Sequence, residues 1–195
     1  TTYGAHILGY LGSIGSPEEK EALGEGYAWD DYVGKSGVEA AFESYLKGSD
    51  GVRVVSMNEE GKITGEYYST EPVPGNTVEL TIDLDLQQAA EDALAATITA
   101  MNESDPVESR GGAAVVLDVD TREVLAMASY PTYDLATFRQ SDIYAALNAD
   151  PNLPFTNRAT QGRYAPGSTI KPLTAVAALE EGLISPTELI RTPYR

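Results

Sequence analysis

The chain has 195 residues, of which 42% are hydrophobic and 22% are charged, a composition that supports a packed core in one large or two small domains. Thirty acidic against thirteen basic residues give a formal net charge of −17, which repels phosphate backbones and argues against a nucleic acid as partner. The absence of cysteine excludes disulfides, thiolate metal sites and cysteine nucleophiles.

The only histidine, His6, opens an apolar run that extends to Leu11. A catalytic triad would have to use this imidazole, and a zinc site could draw on no other. Because the surrounding residues are apolar, we expect a structural role for His6 instead.

Two helices are predicted in the first third of the chain. Ser16 is a suitable N-cap, since Pro17 follows in the first helical position and acidic residues fill the first turn. Apolar residues recur at helical spacing from Val38 to Leu46, which predicts a second helix with one buried face, ended near Gly48.

A hairpin and a linker are predicted next. The β-rich run Val52–Met57 is followed by the turn Asn58–Gly61 and by a second strand, Lys62–Tyr68. Residues 70–76 contain two prolines and a glycine, which is typical of a linker. We therefore expect one domain over residues 1–74 and a second over residues 75–195.

The second domain is expected to open with a strand and a long helix. The segment Thr77–Ile82 alternates as a strand does, and either Asp83 or Asp85 can cap a helix over Leu86–Met101. A polar loop over residues 102–112 is predicted to follow.

Two further strands and a last helix complete the prediction. Ala113–Leu117 is almost continuously apolar, as in a strand covered on both faces, and Glu123–Ser129 returns beside it. A long irregular stretch, Thr132–Pro166, then leads to an apolar helix over Ser168–Glu181 that Gly182 closes.

The start of this last helix carries the chemically informative motif. Ser168 and Lys171 stand three residues apart, so both side chains can lie on one helical face. A desolvated lysine can lose its proton and serve as the base that a serine nucleophile needs. A helix N-terminus adds free N–H groups that suit a developing oxyanion.

The bare pattern Ser-x-x-Lys has little specificity, because Ser44 and Lys47 also match it. We interpret that second match as a solvated helix end, since no strand–loop–helix context surrounds it. Judged from its four residues alone, the match at Ser168 is also explained by a helix cap at Ser168 beside an exposed Lys171. The surrounding sequence favours the catalytic interpretation.

Several segments, in order, resemble the class B penicillin-binding proteins, the transpeptidases of bacterial cell-wall synthesis, and within them the elongation-type branch called penicillin-binding protein 2. The opening hairpin, the approach to the serine and the non-catalytic pedestal domain of the family all have counterparts here. The segments are His6–Gly12, Gly34–Glu39, Leu46–Gly51, Gly112–Val119, Glu123–Pro131, Asn157–Ala159 and Pro166–Pro172.

The resemblance implies an α+β fold, with part of a pedestal (dimerisation-type) domain over 1–74 and the N-terminal part of a transpeptidase domain, an incomplete mixed sheet with helices, over 75–195. It implies that Ser168 is the nucleophile and Lys171 the leading candidate base; Ser-x-x-Lys is a known motif of these enzymes, in which the identity of the base is disputed. It implies no metal and no organic cofactor.

The implied reaction is acyl transfer on peptidoglycan stem peptides that end in D-alanyl-D-alanine, with β-lactams as inhibitors and cell-wall elongation proteins as partners. The implied location is the extracytoplasmic face of the bacterial plasma membrane, held by a single-pass anchor N-terminal to these residues. Two alternatives stay open: a non-catalytic scaffold that binds elongation proteins, and a penicillin-sensing receptor that acylates without transfer.

The sequence departs from the family in two respects. Arg122 stands where the family usually turns on glycine, which puts the conformation of that turn in doubt. Neither Ser-x-Asn nor Lys-Thr-Gly follows Ser168 within the 195 residues. We therefore expect a piece that ends soon after its nucleophile, that is itself inactive, and whose part after the linker is less stable than the part before it.

Overall fold

A computed structural model describes residues 2–104 and 111–189. These residues form two compact units, one that extends to Gln161 and one that begins at Gly162. In the first unit the helices are α1 (Ala5–Leu8), α2 (Pro17–Leu23), α3 (Gly37–Ala41), α4 (Glu43–Leu46), α5 (Leu84–Ser104), α6 (Ser141–Ala149) and α7 (Arg158–Gln161).

The strands of the first unit form three separate antiparallel pairs within the described residues. The mixture of helices with small antiparallel sheets confirms the predicted α+β class. The paired strands are β1 (Leu11–Ser13) with β2 (Tyr32–Gly34), β3 (Val52–Met57) with β4 (Ile63–Thr70), and β5 (Gly112–Leu117) with β6 (Val124–Tyr130).

Helix α2 begins as its sequence predicts. The backbone N–H of Glu19 donates to Ser16 Oγ over 3.2 Å, and Pro17 occupies the first turn, where its missing N–H removes no helical hydrogen bond. The prediction of this helix start is confirmed.

The predicted helix over 38–46 is wrong in its continuity and its burial. It breaks into α3 and α4 at Phe42, whose φ of −115° and ψ of 20° leave the helical region, and none of its residues is buried. Hydrogen bonds dock α4 instead, because Glu43 Oε2 accepts from the N–H of Gly34 over 2.7 Å and Glu43 Oε1 from Tyr27 Oη over 3.1 Å. The apolar spacing predicted a buried apolar face, but the Glu43 carboxylate makes the docking contact instead.

The hairpin of β3 and β4 forms with the predicted turn, yet both of its faces are open. All residues of the two strands are exposed except Val55, which is half-buried. The exposed side chains include Val54 and Tyr67, which pair across the strands.

The segment before α5 is not a strand, contrary to prediction. It runs beside the start of β6, where Thr81 Oγ1 donates to Val124 O over 2.7 Å and the N–H of Asp83 donates to Leu125 O over 2.9 Å. Asp83 Oδ1 then accepts from the N–H of Leu86 over 2.9 Å, which confirms an aspartate as the cap of α5.

Strands β5 and β6 form the predicted second hairpin, but β6 is more deeply buried than β5. Ala126 and Ala128 of β6 are fully buried, whereas Val115 and Leu117 of β5 are 47% and 53% exposed. Among the described residues β5 therefore lacks part of the cover that its apolar run indicates, which agrees with the expected incomplete sheet. Arg122 adopts a φ of 70° at the turn, so it takes the left-handed conformation that glycine favours at this position.

The buried core of the first unit joins its two ends. Ala5, Tyr133 and Phe138 form its centre, and Tyr10 and Phe155 pack against them. The ring centroids of Tyr133 and Phe155 lie 4.9 Å apart at an interplanar angle of 62°. The stretch predicted as irregular, residues 132–166, thus supplies α6, α7 and most of the residues in this cluster.

Burial does not follow the predicted division at the linker. Buried residues occur before it, in α1 and at Val33 of β2, and after it, in β6 and between residues 133 and 155, whereas α3 and α4 are at most half-buried and the β3–β4 hairpin is almost entirely exposed. Since stability follows buried apolar area, we now expect the part around β6 to be the more stable one.

Candidate active site

Ser168 and Lys171 belong to the second unit, on two consecutive helical segments. Ser168 lies in a 3-10 turn over Gly167–Ile170, and Lys171 is the first residue of α8 (Lys171–Glu180). The prediction of a helix is confirmed, except that its first turn is 3-10 and not α. Gly167 permits the sharp entry, because its φ of 53° is one that side chains with a Cβ rarely adopt.

The backbone ties the two residues together. The N–H of Lys171 donates to the carbonyl oxygen of Ser168, which closes the 3-10 turn. Residues three apart are eclipsed in such a turn, so both side chains leave the helix on one side. The first N–H groups of a helix have no intrahelical partner, and the N–H of Ser168 belongs to this set.

The second unit holds the pair on a helix with a well-defined end. The N–H of Gly182 donates to Leu179 O over 3.1 Å and that of Leu183 to Ala178 O over 3.0 Å, while Gly182 has a φ of 65°. These bonds are those of a Schellman motif, which satisfies the last carbonyls of α8. Glycine therefore closes the helix at the predicted position.

Both side chains of the candidate pair are exposed. Within residues 2–104 and 111–189, neither Ser168 Oγ nor Lys171 Nζ makes a hydrogen bond or ion pair with another side chain. The geometry permits the serine–lysine pair, and the assignment of these residues as nucleophile and base stays a prediction.

The second Ser-x-x-Lys match differs in the engagement of its lysine. Lys47 Nζ lies 2.5 Å from Asp31 Oδ2 and 3.6 Å from the ring centroid of Tyr27. Ser44 and Lys47 both line a cleft of about 710 Å³, but the Asp31 carboxylate and the Tyr27 ring engage Lys47 Nζ. Because these partners and not Ser44 hold the amine, this match carries no catalytic interpretation.

Two buried polar residues that support the β5–β6 hairpin escaped sequence reasoning. Gln87, 1% exposed, accepts from the N–H of Met127 over 2.7 Å and donates to Met127 O over 3.0 Å. Its side-chain amide thus makes the two backbone hydrogen bonds that a neighbouring strand would otherwise make. Ser129 Oγ accepts from the N–H of Arg158 over 3.0 Å and donates to Thr156 O over 3.2 Å. A glutamine among the apolar positions of α5 was the only available signal.

The approach to the serine is anchored at its beginning. Asn157 Oδ1 accepts from the N–H groups of Ala159 and Thr160 over 3.1 and 3.3 Å and thereby caps α7. The Arg158 guanidinium donates to the carbonyls of Leu153 and Asn152. The motif Asn157–Ala159 therefore fixes the end of the first unit.

None of the helices within 2–104 and 111–189 has both the length and the apolar character that crossing a membrane requires.

Two family profiles match the sequence. Residues 1–80 match the penicillin-binding protein dimerisation domain, and residues 112–194 match the penicillin binding protein transpeptidase domain. Ser168 and Lys171 fall within the second match.

Curated and solved relatives agree with these profiles. The peptidoglycan D,D-transpeptidase MrdA of Salmonella typhimurium (strain SL1344) is 36% identical over 189 residues, which cover 93% of this chain and 28% of that protein. A structure of a peptidoglycan synthase complex that coordinates polymerization and crosslinking matches with a TM-score of 0.83 and 40% identity, over 95% of this chain and 33% of its counterpart. Pseudomonas aeruginosa PBP2, crystallised with WCK 5153, matches with a TM-score of 0.70 and 35% identity, over 95% and 35%. The chain thus spans less than a third of MrdA.

Proposed function

The chain belongs to the penicillin-binding proteins, in which a dimerisation domain accompanies a transpeptidase domain, and from this premise we propose that the protein is a peptidoglycan D,D-transpeptidase. The observation that carries the proposal is the serine–lysine pair at the entry to α8, inside the residues that match the transpeptidase profile. Named relatives over the same residues support it.

The proposed acylation step begins at Ser168. Lys171, once neutral, takes the hydroxyl proton, and Ser168 Oγ attacks the carbonyl carbon between the two terminal D-alanines of a stem peptide. The N–H of Ser168 is one donor to the oxyanion of the tetrahedral intermediate. The C–N bond then breaks as Lys171 passes its proton to the departing nitrogen, the terminal D-alanine leaves with a free amino group, and an acyl ester remains on Ser168.

The proposed transfer step reverses these roles. An amine of a neighbouring stem attacks the ester carbonyl and loses a proton, the new amide forms, and Ser168 recovers its hydroxyl. A β-lactam enters by the same attack, with its ring C–N bond in place of the peptide bond. Because its amine stays tethered to the acyl group, the ester persists.

The penicillin-sensing alternative differs only in the second step. A full-length protein that contains this chain is therefore to be incubated with a D-alanyl-D-alanine stem peptide and an acceptor amine. Release of D-alanine with formation of the cross-linked product supports the transpeptidase. Acylation without a cross-linked product would instead support the receptor.

We expect the 195 residues alone to resist stable acylation by penicillin. They contain neither a Ser-x-Asn nor a Lys-Thr-Gly motif after Ser168, and loss of one oxyanion donor typically costs about 10²–10³ in rate. A fluorescent penicillin with detection by intact mass measures this directly. Stoichiometric labelling at Ser168 would show that the pair suffices without those motifs.

We further infer that the protein works at the extracytoplasmic face of the bacterial plasma membrane, with proteins of cell-wall elongation as partners. The β3–β4 hairpin supports a partner-binding role, because both of its faces expose apolar side chains within the part that matches the dimerisation domain. A solved relative that is part of a peptidoglycan synthase complex is consistent with this role.

Charge introduced on this hairpin is expected to weaken partner binding. In the full-length protein, Val54→Asp and Tyr67→Asp should reduce co-purification with partner proteins of cell-wall elongation at least about tenfold, since a buried unpaired carboxylate opposes docking. Asn58→Asp, on the exposed turn, is the control, because it adds the same single negative charge and keeps an oxygen that can accept from the N–H of Lys62. Unchanged co-purification in both strand variants would exclude the hairpin as the contact.

A further inference from the structure

The first helix of the chain is held by residues that lie far away in sequence. Ala5, His6 and Ile7 are 1%, 9% and 8% exposed, although α1 has only four residues. Such a short helix is not stable by itself. Its position therefore depends on what surrounds it.

Hydrogen bonds grip α1 from two sides. The N–H of Gly4 donates to Glu91 Oε1 of α5 over 2.8 Å. On the other side, His6 Nε2 lies 2.7 Å from Pro154 O, and Asn157 Nδ2 lies 3.4 Å from His6 O. The imidazole thus connects a residue matched by the dimerisation profile to a loop matched by the transpeptidase profile.

The short contact with Pro154 fixes the tautomer of His6. A carbonyl oxygen only accepts, so Nε2 must carry the proton, and a neutral ring then has a bare Nδ1. The ring also packs edge-on against Tyr133, with centroids 5.3 Å apart. Binding of a second proton would create a buried cation against this aromatic core.

The same imidazole borders an opening through which a proton can arrive. His6 lines a cavity of about 400 Å³ together with Tyr133, Asn157 and Lys35. Lys35 is ion-paired with Glu19, so its charge is already engaged. The fixed charges that act on His6 are Glu91 on α5 and Arg158 on α7, which oppose each other.

We propose that His6 is an acid-sensitive clasp, whose protonation weakens the attachment of α1 to the segment over residues 127–157. The clasp makes the packing of the dimerisation-type segment on the transpeptidase-type segment dependent on the acidity outside the protein. The proposal does not depend on the catalytic assignment of Ser168 and Lys171.

The direction of the pH effect follows from the environment of the ring. Burial is the largest influence and lowers the pKa of His6 below 6.5, while the Pro154 carbonyl and Glu91 raise it and Arg158 lowers it. A folded-state pKa below the unfolded value means that the unfolded chain binds more protons. The contribution of neutral His6 to stability is therefore complete above about pH 6.5 and is lost as the pH falls below it.

Two measurements on the 195 residues test the clasp. Because these residues contain one histidine, its imidazole signals are assigned without ambiguity. Imidazole signals of histidine labelled with ¹³C and ¹⁵N should show the Nε2–H tautomer and a titration midpoint below 6.5. Amide protection factors at Ile7, Leu8 and Gly9 should fall by up to about tenfold per pH unit below 6.5. In His6→Gln, which keeps a donor for Pro154 but cannot titrate there, they should be independent of pH.

Tyr133→Phe is the matched control, because it keeps the ring against His6 and removes only the hydroxyl group, 3.5 Å from Ala5 O. Its α1 protection should keep the acid sensitivity of the unmodified chain. A midpoint at or above 6.5, an Nδ1–H tautomer, or α1 protection that is unaffected by His6 protonation would each overturn the proposal. The histidine titration decides the question even if His6→Gln does not fold.

Discussion

Ser168→Ala in a full-length protein that contains this chain is expected to abolish labelling by a fluorescent penicillin. The hydroxyl oxygen forms the ester, and an alanine methyl group has no atom that can replace it. Because Ser168 is exposed and its side chain makes no hydrogen bond among the described residues, the fold should tolerate the change. Circular dichroism and thermal unfolding should therefore match those of the parent protein while labelling disappears.

Lys171→Ala should slow the same labelling by about 10²–10⁴-fold, the range that general-base catalysis typically contributes. The rate of acylation is measured in samples quenched at successive times, which separates slower acylation from weaker binding of the penicillin. Ser44→Ala and Lys47→Ala are the matched controls, since they destroy the other Ser-x-x-Lys pattern and should leave the rate unchanged. Acylation of Lys171→Ala at the parental rate would remove the base assignment but not that of the nucleophile.

Local signals predicted those elements whose ends are fixed by their own neighbours. Ser16 followed by Pro17 determined the start of α2, and Asp83 determined that of α5, because a capping side chain reaches only the next two or three N–H groups. The turn over residues 58–61 is also a local signal, and it placed β3 against β4 as predicted. Gly182 likewise ended α8, where its left-handed conformation closes a Schellman motif.

Elements whose character depends on distant partners were predicted less well. The segment 77–82 alternates like a strand, but it does not form one beside β6. Carbonyl groups of β6 accept one hydrogen bond from the Thr81 side chain and one from the N–H of Asp83, the next residue after the segment. The spacing of Val38 to Leu46 indicated a buried face, but every residue of α3 and α4 stays at least partly exposed. Nothing local indicated that Ala5 would meet Tyr133, since their contact spans 128 residues.

The candidate site shows the same division. The spacing of Ser168 and Lys171 predicts that they leave the helix on one side, and the 3-10 turn keeps that property. Loss of the lysine proton requires desolvation or a neighbouring charge, and both come from residues that tertiary packing brings to the site. A tetrapeptide cannot specify them, which is why the same pattern at Ser44 and Lys47 ends as an ion pair with Asp31.

Amide hydrogen exchange is expected to rank β5–β6 above β3–β4 by roughly a hundredfold or more in protection. Both hairpins are antiparallel with six residue pairs in register, so their backbone hydrogen bonding is comparable. Burial differs, because β6 buries Ala126, Ala128 and Ser129 while every residue of β4 is exposed. Local opening energies range from near zero to that of global unfolding, and buried segments occupy the upper end.

A glutamine substitution isolates the cause of this protection. Gln87→Ala removes both hydrogen bonds to the backbone of Met127 and leaves the β5–β6 ladder intact, so protection of Met127 and its neighbours should fall several-fold while β3–β4 stays unchanged. Gln88→Ala, one residue further along α5, controls for the change in helix composition. Sequence patterning alone assigned the greater stability to the part before the linker, residues 1–74, which contains α3, α4 and the β3–β4 hairpin. Slower exchange at Phe42–Leu46 than at Val115–Leu117 would support that assignment, because packing around β6 would then not be what stabilises the first unit.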